Sequence, residues 1–230
     1  MIVGRGLLAN SLSTLDSEEF IFYVNGISNS TITIIEEDNF EKRELKALAE
    51  SYDDKTLVYF STCMVNSIGS FSNQYIDHKY KTEVFIQNTF SRYLIIRTSN
   101  LVGKNLWNNN TLFNFLFNAI KEDIPIKINK RIKRNVMDID DLSIILSSFL
   151  RNNPYSNCIV DLVYPRSYTM EEIVESFESY FSKKFIREET SKDIFAHFNA
   201  NLEISNLLFE EVDLPSSNYL EKLLNKYYSV

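Results

Sequence analysis

A chain of 230 residues with 24 Lys+Arg against 31 Asp+Glu carries a net charge of −7, which repels nucleic-acid backbones and anionic membrane surfaces, so neither is an expected partner. Hydrophobic residues make up 44%, including 17 Phe and 13 Tyr, which excludes whole-chain disorder, and no run approaches the ~18 apolar residues of a membrane span. Two distant cysteines (Cys63, Cys158), two histidines (His78, His197) and a start without a basic leader predict a reduced, cytoplasmic chain with neither a disulfide framework nor a bound metal.

Ile2-Val3 reads as a short strand ending at Gly4, and Leu7, Leu8, Leu12 and Leu15 follow at helical spacing. Phe20 to Val24 is a buried strand ending at Asn25-Gly26, and Phe40, Leu45, Leu48 and Ala49 mark a helix leading to the strand 56–60. A helix over about 76–90, a strand at 93–96 and helices at 112–120 and 140–150 continue the alternation. Strands alternating with helices predict a parallel sheet covered on both faces. From Tyr168 onward, repeats such as Ile173-Val174-Phe177 are helical, with only short extended pieces between.

The chain holds only five glycines, and two of them are Gly4 and Gly6. Gly4-x-Gly6-x-x-Ala9 between strand and helix is the dinucleotide-binding spacing: a tight turn, close backbone approach to a pyrophosphate, and a small residue for packing helix on strand. A plain strand-to-helix turn accounts for the same glycines. The cofactor set on this reading is Gly4, Arg5, Gly6, Leu7 and Leu8 with Asn25 and Gly26 at the next strand end. Arg5 either stacks on an adenine, pairs with a 2′-phosphate, or is an exposed turn residue.

Tyr75-x-x-x-Lys79 places a phenol and an ammonium one helical turn apart. Spacing alone says little, since Tyr180 and Lys184 form a second such pair, but only Tyr75 follows a Ser61-Thr62 strand end. Lys79 is expected to lower the phenol pKa, Tyr75 to exchange a proton with a substrate oxygen, and Thr62 to hydrogen-bond that oxygen while hydride moves to or from a nicotinamide. An ordinary surface helix beside a strand end is the competing account. His78 is expected on the helix surface, pointing away from Tyr75, and Cys63 as a small buried residue.

Taken in order, these segments resemble the extended short-chain dehydrogenase/reductase superfamily, the NAD-dependent epimerase/dehydratase group. The resemblance rests on Val58-Tyr59-Phe60-Ser61-Thr62, on Tyr75 to Glu83, on Arg97-Thr98-Ser99-Asn100 through Gly103, and on Arg134-Asn135-Val136-Met137-Asp138 through Leu142. It implies that Thr62, Tyr75 and Lys79 are catalytic, that Tyr75 and Lys79 also touch the cofactor (Lys79 at the nicotinamide ribose), and that Thr62, Asn100 and Arg134 bind substrate. The last two would face its diphosphate, as suits a guanidinium; a solvated basic face with Lys130, Arg131 and Lys133 is the other account of Arg134.

Two departures qualify the resemblance. The stretch between Gly6 and the strand 20–24 is too short for the strands and helix that the family places there, so the adenosine-binding half is expected to be trimmed, and Asn25-Gly26 stands where a ribose-reading acid is sought. Glu36 and Glu37, after the β-branched run 31–35, are a substitute only if that run is a strand; a solvated loop before the Phe40 helix is the expectation. Cys63-Met64 stands where the family's dehydratases resemble one another in an acid pair, which disfavours dehydration. Trp107 either covers a base or sugar or packs in the smaller domain.

The resulting expectation is an α/β fold, a doubly wound parallel Rossmann-type sheet with a small C-terminal substrate-binding subdomain. The division is residues 1–105 and 136–162 against 106–135 and 163–230. The expected function is a reductase or epimerase of a nucleotide sugar using NAD or NADP, with NAD preferred. A homodimer through the helices near 40–51 and 76–90 follows by resemblance. The alternative is an idle nucleotide or nucleotide-sugar binding protein that keeps the fold.

Overall fold

In the computed structural model residues 1–26, 35–68, 73–104, 111–129, 132–152, 157–188, 198–214 and 217–229 are described. The chain enters the sheet at once with β1 (Ile2–Val3), then forms α1 (Leu7–Ser11), β2 (Phe20–Tyr23), α2 (Ile35–Ser51), β3 (Thr56–Thr62), α3 (Gln74–Thr89) and β4 (Tyr93–Thr98). After β5 (Asn100–Val102) come α4 (Leu112–Glu122), β6 (Ile126–Lys127), β7 (Lys133–Arg134), β8 (Val136–Asp138), α5 (Ile139–Asn152) and β9 (Cys158–Asp161). The last part holds β10 (Tyr168–Thr169), α6 (Met170–Phe181), β11 (Arg187–Glu188), α7 (Glu203–Glu211) and α8 (Tyr219–Tyr227). Each strand and helix expected from periodicity is present. Glu36 and Glu37 lie within α2 rather than in a loop before it, because that helix starts at Ile35.

The main sheet is parallel, in the order β1-β2-β3-β4-β9. Alternation along the strands splits the core in two. Phe22, Val58, Leu94 and Ile96 face α1 and α5 through Leu12, Leu142 and Ile145, and this core continues into α4, α6, α7 and α8. Ile21, Tyr23, Leu57, Tyr59 and Ile95 face α2 and α3 through Leu45 and Ile86. Helices thus cover both faces, while the strand order never reverses. Every connection steps the same way across the sheet, yet α1 and α5 lie on one face and α2 and α3 on the other. Handedness ties the face to the direction of the step, so two of the four connections are of opposite hand to the other two. The cause is local. Residues 4–19, all described, separate β1 from β2 and form only a turn, α1 and a 3-10 turn, so α1 feeds directly into β2 and β1 is left at the edge of the described sheet.

The C-terminal helix closes the fold. Asp138 and Asp141, at the junction of β8 and α5, are buried. The Tyr219 hydroxyl accepts from the Asp138 amide at 2.8 Å and donates to Asp141 at 2.7 Å, while Lys226 reaches Asp138 at 2.8 Å and Lys222 reaches Asp141 at 3.0 Å. Replacing Tyr219 with Phe leaves the buried Asp138 amide without its acceptor and removes one of the two donors to Asp141 Oδ2, which keeps Lys222 at 3.1 Å. The expected cost is about 1–3 kcal/mol, read in thermal denaturation as a fall of roughly 2–12 °C in Tm; an unchanged Tm would show that α8 does not clamp this junction.

Candidate active site

The carboxyl end of β3 organises the site. Thr62 ends the strand and caps the following 3-10 turn (Cys63–Ser67), its hydroxyl oxygen accepting from the Met64 amide at 3.2 Å, which leaves the hydroxyl proton free for a ligand. Helix α3 begins at an Asn73 cap whose side chain accepts from the Ile76 amide at 2.9 Å. Tyr75 is in its first turn and Lys79 one turn further on, so both sit on the same side of α3. Lys79 is buried, and its ammonium donates to the Tyr59 hydroxyl at 3.1 Å and the Phe60 carbonyl at 3.2 Å. It is thereby fixed to β3 two residues before Thr62. The Tyr75 side chain, partly exposed, makes no hydrogen bond among the described residues.

The electrostatics depart from expectation. Tyr75 is pushed up to about 12 by burial and then by the Glu41 carboxylate. Lys79 does not lower it: burial pulls the ammonium below its ordinary value, with Glu41 and Glu83 offsetting part of that. The reason is Glu41, a carboxylate on α2 that is 2% exposed. Its Oε1 accepts from the Tyr59 hydroxyl at 3.1 Å and its Oε2 lies 2.6 Å from His78 Nε2. Burial pushes the Glu41 carboxyl up, but His78, the Lys79 charge and Tyr59 together hold it below the usual range.

His78 is therefore not the surface residue expected from the sequence; it is buried on the stripe of Thr82 and Ile86, against α2. Gly26 fits closely here: a Cβ on it would lie 2.8 Å from Glu41 Oε1 and 3.1 Å from Lys79 Nζ, so a side chain would displace the Glu41 carboxylate from the end of β2.

A second network braces α3. Glu83, one turn after Lys79, pairs with Arg97 of β4, whose Nε donates at 3.0 Å. Arg97 also donates to the Asn66 side-chain oxygen, and the Asn66 amide donates to Asp161 of β9 at 2.9 Å. Cys63 is buried as expected, its thiol pushed up by burial and by Asp161, which leaves it an inert residue. The sequence reading missed Glu41. The signal was available: Glu41 is four residues before Leu45, which puts an acid on the buried stripe of α2.

The glycine turn has the backbone its spacing predicts. Gly4 and Gly6 have φ of 124° and 100°, and a Cβ on Gly4 would lie 2.7 Å from the Asn25 nitrogen. Space over Gly6 is open, and the amides of Leu7 and Leu8, in the first turn of α1, have no acceptor within the helix. Leu7 and Leu8 side chains pack into the core. Arg5 is exposed, with no side-chain partner among the described residues. The Asn25 side chain turns away from the turn and donates to Glu44 at 2.9 Å. These residues fit a phosphate and, through Lys79, one ribose. Among the described residues β1 has no strand neighbour other than β2, so they offer an adenosine no flank.

The two residues expected at a diphosphate come close together. β5 pairs in parallel with β8, so the Asn100 amide donates to the Asn135 carbonyl at 2.9 Å, beside Arg134. Arg134 is partly buried, its guanidinium lowered by burial, and it makes no ion pair among the described residues. A desolvated cation without a counter-ion is a site for an anion. Trp107, Lys130, Arg131, His197 and the run 31–34 lie outside the described residues.

No family model matches the chain, and no curated protein matches it. Solved structures do. The UDP-glucuronic acid 4-epimerase of Bacillus cereus, in complex with UDP-glucuronic acid and NAD, is similar at a TM-score of 0.73 and 15% identity over 96% of this chain and 76% of that one. The UDP-glucose 4-epimerase of Bifidobacterium longum, with NAD+ and UDP, gives 0.72 at 9% identity over 95% and 78%. The dTDP-glucose 4,6-dehydratase of Bacillus anthracis, with NAD, gives 0.70 at 15% identity over 90% and 71%. The chain thus has the Rossmann-type fold of the NAD-dependent epimerase/dehydratase family of short-chain dehydrogenases/reductases, with the first half of the sheet shortened.

Proposed function

We propose that the chain is an oxidoreductase or epimerase that acts, with a nicotinamide cofactor, at a carbinol or ketone of a nucleotide-activated sugar. The observation that carries this reading is the free Tyr75 phenol one turn before Lys79, with Lys79 bonded to the strand that ends in Thr62. Thr62 donates to the reacting oxygen and holds it, Tyr75 gives it a proton, and Lys79 fixes a ribose beside them. A nicotinamide cofactor held at the glycine turn and by Lys79 would, when bound in its reduced form, supply the hydride. Asn100 and Arg134 take the sugar's diphosphate. Cys63 and Met64 bring no acid to this strand end, so the chemistry stops at redox and elimination does not follow.

Titration with UDP and uridine tests the anion site. Replacing Arg134 with Gln is expected to weaken UDP about 10- to 150-fold, the range of a charge-assisted hydrogen bond, and to leave uridine unchanged. Equal loss for both would place the diphosphate elsewhere. The reaction itself is tested by incubating the protein with reduced cofactor and a panel of 4-keto and 4-hydroxy sugar nucleotides, following dihydronicotinamide absorbance and the sugar configuration by NMR. Silence across the panel would favour the second reading, a nucleotide-sugar binding protein, for which the shortened sheet speaks. The solvent faces of α2 and α3 expose Phe40, Tyr80 and Val84, which suits pairing of two copies there.

A further inference from the structure

We infer that the glycine-turn site takes a nicotinamide mononucleotide, one ribose with one terminal phosphate, and that an adenosine attached to that phosphate gains no contact. The inference rests on the redox reading above and deepens it.

A dinucleotide lies across two βαβαβ halves, each flanking one nucleoside, at the point where strand order reverses. Among the described residues this sheet has one complete half, β2-α2-β3-α3-β4, preceded only by β1, the five residues of α1 and a 3-10 turn, and its order does not reverse. Nothing in the span 4–19 pairs with the free side of β1.

Among the acids whose side chains are described, those that would read a second ribose are occupied or at the wrong end of the sheet; the side chains of Glu36 and Glu37 lie outside the described ones. Asp16 holds the Met1 ammonium at 2.6 Å. Glu18 and Glu19 precede β2, which runs parallel to β1, so they lie at the opposite end of the strands from the glycine turn. Glu44 is bonded to Tyr23 at 2.7 Å and to Asn25, and Glu41 to Tyr59 and His78. The turn does offer a cation, Arg5, exposed between the two glycines and without a side-chain partner among the described residues. A terminal phosphate carries up to two negative charges and suits a free guanidinium better than the singly charged phosphates of an internal diester link.

Titrating the full chain with reduced nicotinamide mononucleotide, NADH and ADP-ribose, by calorimetry and by nicotinamide fluorescence, separates the possibilities. The expected result is mononucleotide and NADH affinities within about threefold of each other, no displacement by ADP-ribose, and a loss of about tenfold or more for the mononucleotide in Arg5→Ala. NADH bound about a hundredfold more tightly than the mononucleotide, or displacement by ADP-ribose, would overturn the inference while leaving the redox reading standing. Unchanged affinity in Arg5→Ala would also overturn it. Binding of neither nicotinamide nucleotide would overturn both.

Discussion

Replacing Glu41 with Gln is expected to destabilise the protein by about 3–5 kcal/mol, the usual cost of removing one partner from a buried charged pair. For a chain of this size that is a fall of roughly 6–20 °C in Tm. The magnitude follows from what the carboxylate serves. It is the acceptor for Tyr59 and the partner of His78, and its charge offsets part of the burial of Lys79. Glutamine keeps the shape, removes the charge, and replaces one of the two acceptor oxygens with a donor. His78→Gln in the Glu41→Gln background should add much less than His78→Gln does alone, because the two changes remove one interaction.

The pH dependence carries a second signature. Glu41 is held below its ordinary value in the fold, so at equilibrium the unfolded chain takes up that proton first as pH falls. The stability it contributes is complete above the unfolded glutamate pKa, about 4.3, and is lost as pH drops through the lower folded value. Wild type should therefore lose Tm on acidification through that window more steeply than Glu41→Gln, and parallel curves would show that Glu41 is not the group responsible.

What the sequence made legible follows from which interactions are local. The strands near 20–24, 56–60 and 93–96 and the Tyr75–Lys79 spacing depend on periods of two and four, and those periods are written in the chain itself. His78 shows the limit of reading one helix at a time. Its burial is set by α2 packing over α3, and its partner Glu41 is 37 positions away. The expectation that Lys79 depresses Tyr75 failed for the same reason: the field at the phenol includes a carboxylate contributed by another helix. The shortened first half was readable as a deficit of residues before Phe20. The unbroken strand order and the mixed handedness of the connections that follow from it were not, because they depend on which face each helix covers.

The direction of the chemistry follows from Tyr75 and Lys79 taken together, and Tyr75→Phe is expected to lower turnover about 10²- to 10⁴-fold, the usual contribution of a positioned proton donor, with sugar-nucleotide affinity unchanged. Loss of affinity with turnover intact would make Tyr75 a binding residue instead. Burial lowers the Lys79 ammonium from its ordinary value, whereas Tyr75 rises to about 12, so on raising the pH Lys79 gives up its proton before Tyr75 does. An ammonium paired with a phenolate is thus not a resting state of this site. Tyr75 stands through the neutral range as a neutral phenol, which can donate to the oxygen of a ketone as it is reduced but is poorly placed to take a proton from a carbinol. Reduction should accordingly need no ionised Tyr75 and proceed at neutral pH, while oxidation should be slow there and rise with pH as the phenolate becomes available. A difference-absorbance titration comparing wild type with Tyr75→Phe reads the phenol directly. A tyrosinate attributable to Tyr75 below its ordinary value of 10.0 would reverse the assignment and restore it as a base.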